Sequence, residues 1–455
     1  MKFLNLTVVV FMVLIATFGL LLYTITYNDL FISYTIVLNL ILSFYLSFRL
    51  SPDKTRIKLS FVYLLGFSLF VCGRFFSNIL GIDETYCFDF GYSYCLKSTE
   101  VIYSGVLINT ALIFYNLGFI LSKKNKINNV EVQRNEFEYL NYKIYYIFLL
   151  IGILCGGYTL IGTIDSIYKA IAYGYLSLYS GQVEEYSSPI DLIIMVLFNA
   201  IVALSFALRE KAGNRIFYFL FFIFLINLLA SVLAGSRANF VSAVLILMWF
   251  SLGENKIKLS KVIFITILSS TIFLTNIIAS LSGARSASDQ NVSFYNKIAE
   301  DIFYNQGITM MVFNMGVQED SYPTLAYIKT IIPGSQIVYS WFFKVYQYDL
   351  SFSQYLMYKL SPGLFYQGYG LAWSLLGDFY AFSFGFIGLF FIYNFLWGRI
   401  IYIVSDKYEN GCYYKGLYFC FLMSIFILSR FSISSFLVLI VFYFFMFKAV
   451  KFKWG

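Results

Sequence analysis

Apolar residues run along this chain in uninterrupted stretches, with neither the alternation of a half-buried strand nor the one-sided spacing of a surface helix. A helical stretch of about 20 such residues crosses the roughly 30 Å of hydrocarbon in a bilayer and satisfies its own backbone groups. A transmembrane barrel would instead show alternating segments of about ten residues. The pattern predicts an all-α polytopic membrane protein with about twelve transmembrane helices. The predicted spans are 4–24, 29–48, 59–80, 100–121, 144–163, 189–208, 216–234, 238–252, 262–281, 378–404, 413–429 and 432–448. The first follows only Met1 and Lys2. It is too long for the core of a signal peptide and no small-residue cleavage site follows it, so it is read as a span.

The polar connections set the expected orientation. Arg49, Lys54, Arg56 and Lys58 share one side with Lys123, Lys124, Lys126, Arg134 and Lys143. Arg209, Lys211, Arg215, Lys256, Lys258, Lys261, Arg399, Lys407 and Lys415 join them, as do Lys2, Lys448, Lys451 and Lys453 near the ends. About two-thirds of the 32 Lys and Arg residues fall on that side, which places both termini in the cytoplasm. Acidic residues favour the opposite side. The net charge of +8 is therefore a topology signal and does not point to nucleic acid. Charged residues make up 12% of the chain, against about 25% in a soluble domain.

One connection breaks the rhythm. Residues 282–377 form a large loop on the outer side, within what is otherwise a single integral membrane domain spanning 1–455. The loop contains Pro323, Pro333 and Pro362 and is too long for a passive connector. Its aromatic content matches the chain average of 21%, so that content decides nothing about a sugar-stacking surface. A second outer loop, 164–188, holds the tract from Ile171 to Gly181, which is read as a short helix lying on the membrane surface.

The chain has no histidine. That excludes His-based general bases, Ser-His and Cys-His nucleophiles, and His metal sites. No metal-ligand spacing is present and no cofactor is expected. Cys87 and Cys95 lie close together in an outer loop, where an oxidising compartment would join them in a local disulfide.

Four arginines share the outer side. Arg237 lies in the tight turn Leu233-Ala-Gly-Ser-Arg-Ala-Asn-Phe240, where Gly235 permits the turn. It reads either as an interfacial anchor that snorkels or as a guanidinium gripping a phosphate or carboxylate. Arg285 sits where the ninth span leaves the membrane, Arg430 at the turn between the last two spans, and Arg74 near the outer end of the third. Asp378 stands at the outer start of the tenth span, either as a helix cap favoured by the dipole or as a general base. Glu300-Asp301 and Glu319-Asp320 are the other carboxylate pairs of the large loop.

This layout resembles the O-antigen polymerases, the Wzy family of bacterial envelope proteins. Locally the resemblance rests on Ala234-Gly-Ser-Arg-Ala238. It rests also on Gly368-Tyr-Gly-Leu-Ala-Trp-Ser-Leu-Leu-Gly-Asp-Phe-Tyr380 with Gly385 and Gly388. The Arg-x10-Gly pattern of some members is absent, since Met248 and Asn296 occupy those positions after Arg237 and Arg285. The resemblance implies a GT-C-like fold in the bacterial inner membrane, with 282–377 as a large periplasmic loop. It implies a glycosyltransferase that polymerises undecaprenyl-diphosphate-linked oligosaccharide repeat units, with a chain-length regulator and a flippase as pathway partners. On that reading Arg237 and Arg285 hold the diphosphate while Asp378 or a loop carboxylate activates the acceptor hydroxyl. Arg74, Arg430, Glu300 and Asp301 then line the diphosphate and glycan site. An O-antigen ligase and a lipid-linked oligosaccharide flippase are the alternatives. Ligases often carry a loop histidine, and a flippase should show charge lining its bundle at mid-membrane.

Overall fold

The computed structural model describes residues 2–52, 57–82, 84–89, 93–123, 140–173, 189–253 and 300–451. Apart from one two-stranded hairpin, its regular elements are helices. Among the described residues, seven helices are long and apolar enough to cross a membrane. They are Asn5–Thr26, Leu30–Leu50, Ser98–Leu121, Tyr142–Tyr173, Ile190–Ala212, Ile387–Asp406 and Ser434–Lys451. An eighth crossing is made if Leu59–Phe70 and Gly73–Ile79, bent by 60° at their junction, count as one broken span. The described residues thus account for seven or eight of the roughly twelve crossings that the hydropathy pattern suggested. Asn214–Ala230 and Arg237–Leu252 are apolar but shorter than a full crossing, and Cys412–Ser424 is shorter still. The expected ninth span, 262–281, lies outside the described residues.

Small residues set the tightest helix pairing. Ser98–Leu121 and Ile387–Asp406 touch backbone to backbone at Gly118, which faces the Phe395 carbonyl, and at Gly398, which faces the Tyr115 carbonyl. A run of polar side chains buried between three of the spans is paired. Asn39 donates to Asn109 at 2.8 Å, Asn109 to Thr35 at 3.1 Å, and Asn116 to Ser43 at 2.7 Å. Such pairing removes the cost of an unsatisfied amide in an apolar interior. Many large apolar side chains of the long helices stay exposed, including Leu14, Phe18, Leu154 and Ile161, as a lipid-facing surface requires.

The connections sort to two ends of the bundle. At one, Lys415 pairs with Glu210 at 2.6 Å and Asn141 N–H donates to the Val450 carbonyl. At the other lie the Cys87–Asp89 and Ser93–Cys95 hairpin and residues 300–386. Cys87 and Cys95 are joined by the expected disulfide.

Residues 300–377 do not form a simple water-facing loop. The Ile308–Val317 helix is buried from Thr309 to Val317, and Asn314 donates to the Glu100 carbonyl and to Ser104 at the start of the Ser98–Leu121 helix. Its Val312 and Met315 join Phe352, Met357, Phe365 and Trp373 in a second core. Of the expected surface helix at 171–181, residues 171–173 belong to the Tyr142–Tyr173 helix, and 174–181 lie outside the described residues. The predicted tenth span divides into a short helix, Leu375–Ala381, and the spanning helix Ile387–Asp406. Phe384 and Gly385 break them with φ of 50° and 79°.

Candidate functional site

Three pieces of chain converge at the hairpin end of the bundle. The first is the bend at Val71–Cys72, directly before Arg74. The second is the π turn Glu300–Tyr304 with the residues that follow it, and the third is the turn from Ile427 to Ser434. Gly73 and Gly307 interlock there, since a methyl group on Gly307 would stand 2.5 Å from the Arg74 backbone nitrogen.

Arg74 is fully buried. Its Nη1 donates to the Thr85 carbonyl at 2.6 Å and to the Cys87 carbonyl at 2.9 Å. Its guanidinium lies over the Tyr304 ring, 3.5 Å from the centroid, and the Tyr304 hydroxyl donates to the same Cys87 carbonyl at 2.9 Å. No carboxylate pairs with Arg74 among the described residues, and its Nε and Nη2 have no carbonyl or carboxylate acceptor there. Two residues beyond Tyr304, Gln306 accepts from Arg430 Nη1 at 2.7 Å. Arg430 lies above the Phe70 ring at 5.6 Å. The segment 304–306 therefore bridges two of the four arginines singled out in the sequence.

Asp378 holds the Arg430 turn from its other side. Ser374 caps the Leu375–Ala381 helix by accepting from Gly377 N–H at 3.0 Å, which sets Asp378 in the first turn. The Asp378 carboxylate is fully buried. One oxygen accepts from Trp373 Nε1 at 2.8 Å, the other from Ile433 N–H at 2.6 Å, and the Ser432 hydroxyl reaches both at 3.2 and 3.0 Å. Burial pushes its pKa up to about 7, against the pull of those donors. Next to this turn, the Ser434 hydroxyl donates to the Lys329 carbonyl at 3.5 Å, and burial lowers the pKa of the Lys329 ammonium.

The remaining sequence candidates divide. Arg237 opens the Arg237–Gly253 helix after the expected turn, in which Gly235 has φ of 88°, and that helix packs against Ile427–Ser429. Glu300 is half-buried in the π turn, and the Asp301 side chain and Arg285 lie outside the described residues. Glu319 is paired with Lys359 at 2.6 Å. No cluster of potential metal ligands occurs among the described residues. Sequence reasoning missed Tyr304, Gln306, Trp373 and Ser432. Of these, Trp373 and Ser432 carried a signal, since each sits within five residues of a singled-out Asp378 or Arg430.

The sequence model of the family described as O-antigen polysaccharide polymerase Wzy matches residues 8–451, nearly the whole chain. The chain belongs to that family. No curated protein and no solved structure matches it significantly.

Proposed function

We propose that this member of the Wzy family joins undecaprenyl-diphosphate-linked oligosaccharide repeat units into O-antigen or a similar surface polysaccharide, at the periplasmic face of a bacterial inner membrane. The family match over residues 8–451 carries the reading as a polymerase. The name of that family describes neither a ligase nor a flippase. The donor lipid, the sidedness with cytoplasmic termini, and pairing with a chain-length regulator and a flippase are the finer parts of the proposal. A GT-C-like arrangement belongs with them.

The reaction breaks the bond between the donor's anomeric carbon and its diphosphate oxygen. It forms a bond from that carbon to an acceptor hydroxyl, which gives up its proton. Charge grows on the departing diphosphate, so cations fixed beside it lower the barrier. Arg430, oriented by Gln306, and Arg237 and Arg285 are assigned that role. Arg74 holds the hairpin and the π turn together next to Gln306, the partner of Arg430. Asp378 is assigned a positioning role, because both of its oxygens already accept hydrogen bonds and neither is exposed. The base that takes the acceptor proton is then Glu300 or Asp301.

A gel ladder of surface polysaccharide from a deletion strain tests this. Wild type should restore a ladder to a strain that otherwise carries a single repeat unit. Arg430→Ala and Arg237→Ala, expressed at wild-type level, should not. Accumulation of finished polymer on its carrier lipid in the deletion strain would instead mean a ligase.

A further inference from the structure

Residues 331–343 lie outside both cores of the molecule. The Ser335–Ser340 helix buries no residue. Around it Ile332, Ile337, Trp341, Phe342 and Phe343 are exposed, Trp341 by 72% and Phe342 by 74%. These residues are not lipid-facing by virtue of a spanning helix, since they belong to the segment between spans. In water, a contiguous patch of this kind marks a surface that something else covers.

Its place in the fold says what covers it. The preceding helix, Thr324–Ile331, packs against the Ser434–Lys451 spanning helix, and the Lys329 carbonyl meets Ser434 in that helix's first turn. The patch begins two residues later. Its helix of six residues reaches only about 9 Å, so it stays near the level at which the span begins. Tyr327 of the same preceding helix stacks on Phe384 at 5.0 Å. Phe384 and Phe386 are themselves exposed, directly before the Ile387–Asp406 spanning helix. The patch is thus continuous with the lipid-facing rim of two spans. Its make-up, Trp and Phe beside Lys344, suits the boundary of headgroups and acyl chains, where a ring can be buried while an ammonium meets phosphate.

We propose that residues 331–343 lie in the interfacial layer of the bilayer and anchor the large loop to the lipid surface at the end of the bundle that holds Arg430. The occupant of this patch is lipid, not a protein partner. The inference needs only that the chain crosses a membrane, and it stands or falls separately from the polymerase reading.

The test uses the full chain reconstituted into phosphatidylcholine vesicles, with and without lipid brominated near the headgroup end of the acyl chains. Wild-type tryptophan emission minus that of Trp341→Phe isolates Trp341. That difference should lose most of its intensity in brominated vesicles and little on addition of aqueous acrylamide. Phe343→Trp in the Trp341→Phe background should behave in the same way, which guards against a local effect of one substitution. Quenching by acrylamide and not by brominated lipid would overturn the proposal in favour of a water-facing loop. Insensitivity to both would overturn it in favour of a covering protein, whether a second copy or another chain.

Discussion

The Asp378 carboxylate accepts the backbone N–H of Ile433 at 2.6 Å, and that bond fastens the end of the large loop to the turn that presents Arg430. Trp373 and Ser432 complete the clasp. In Asp378→Ala the buried N–H groups of Trp373 and Ile433 lose their acceptor. Each orphaned donor costs about 1–3 kcal/mol, so a total loss of roughly 2–6 kcal/mol is expected. Asp378→Asn keeps one acceptor but turns an NH2 toward a donor, and should fall between. Thermal unfolding in detergent measures both. A melting temperature for Asp378→Ala equal to that of wild type would mean the clasp does not hold the turn.

The same carboxyl makes stability depend on pH. Its pKa in the fold is about 7, raised by burial from an ordinary 3.8. Between those values the folded state binds the proton and the unfolded state does not. The stabilisation is therefore fully present below about pH 4 and is lost as pH rises through about 7, on the order of 4 kcal/mol in all. The Ser432 hydroxyl serves both forms, donating to the carboxylate or accepting from the acid. Wild type should melt at progressively lower temperature from about pH 4 to just above pH 7, where this carboxyl's contribution levels off. Asp378→Asn cannot ionise, so it should flatten that slope.

Arg74, Tyr304 and the Cys87 carbonyl form a closed triangle of contacts. Arg74→Lys keeps a charge but cannot stack a planar guanidinium on Tyr304 while reaching two carbonyls. A loss of about 1.5–3 kcal/mol is expected, in the range of hydrogen bonds made by charged groups. Tyr304→Phe keeps the ring and loses only the hydroxyl bond, about 1 kcal/mol. Because the two side chains share a carbonyl and a ring face, the double variant should cost less than the sum of the singles. Additive melting shifts would show that they act independently. Polymer length measured on the same variants separates a loss of fold from a loss of function.

Much of this was legible in the chain, because hydropathy reports burial in lipid without reference to partners. Leu30–Leu50 and Ser98–Leu121 fall almost where the apolar runs put them, and the turn at Gly235 has the left-handed backbone its sequence suggested. What failed was anything decided by distant contacts. Ile308–Val317 is apolar but too short to read as a span, so its burial against Glu100 and Ser104 could not be foreseen. Phe384 takes a left-handed conformation that nothing in its identity announces, and that break removed Asp378 from the tenth span. The loop aromatics were uninformative as a percentage because their role is local, as in Tyr348 stacking on Tyr358 at 4.1 Å to build the second core. Gln306 gave no signal at all, since its partner Arg430 is far away in the sequence.

The pairing of Ser98–Leu121 with Ile387–Asp406 gives the sharpest structural prediction. A methyl group at Gly118 would land on the Phe395 carbonyl oxygen, and one at Gly398 on that of Tyr115. Both obstacles are backbone, so no rotamer change relieves them and the helices must move apart. Gly157 and Gly162, in the Tyr142–Tyr173 helix, would meet nothing within 4 Å. At those positions alanine should be neutral or should stabilise by up to about 1 kcal/mol through its better helix propensity. Gly118→Ala and Gly398→Ala should instead cost several times that, by analogy with overpacking penalties of about 1–3 kcal/mol where only side chains must yield. Fluorescence-detected size-exclusion of detergent extracts after graded heating compares all four. If Gly118→Ala survives heating as well as Gly157→Ala, the two helices do not meet backbone to backbone, and the Tyr115, Phe119 and Tyr402 packing built on that contact would have to be redrawn.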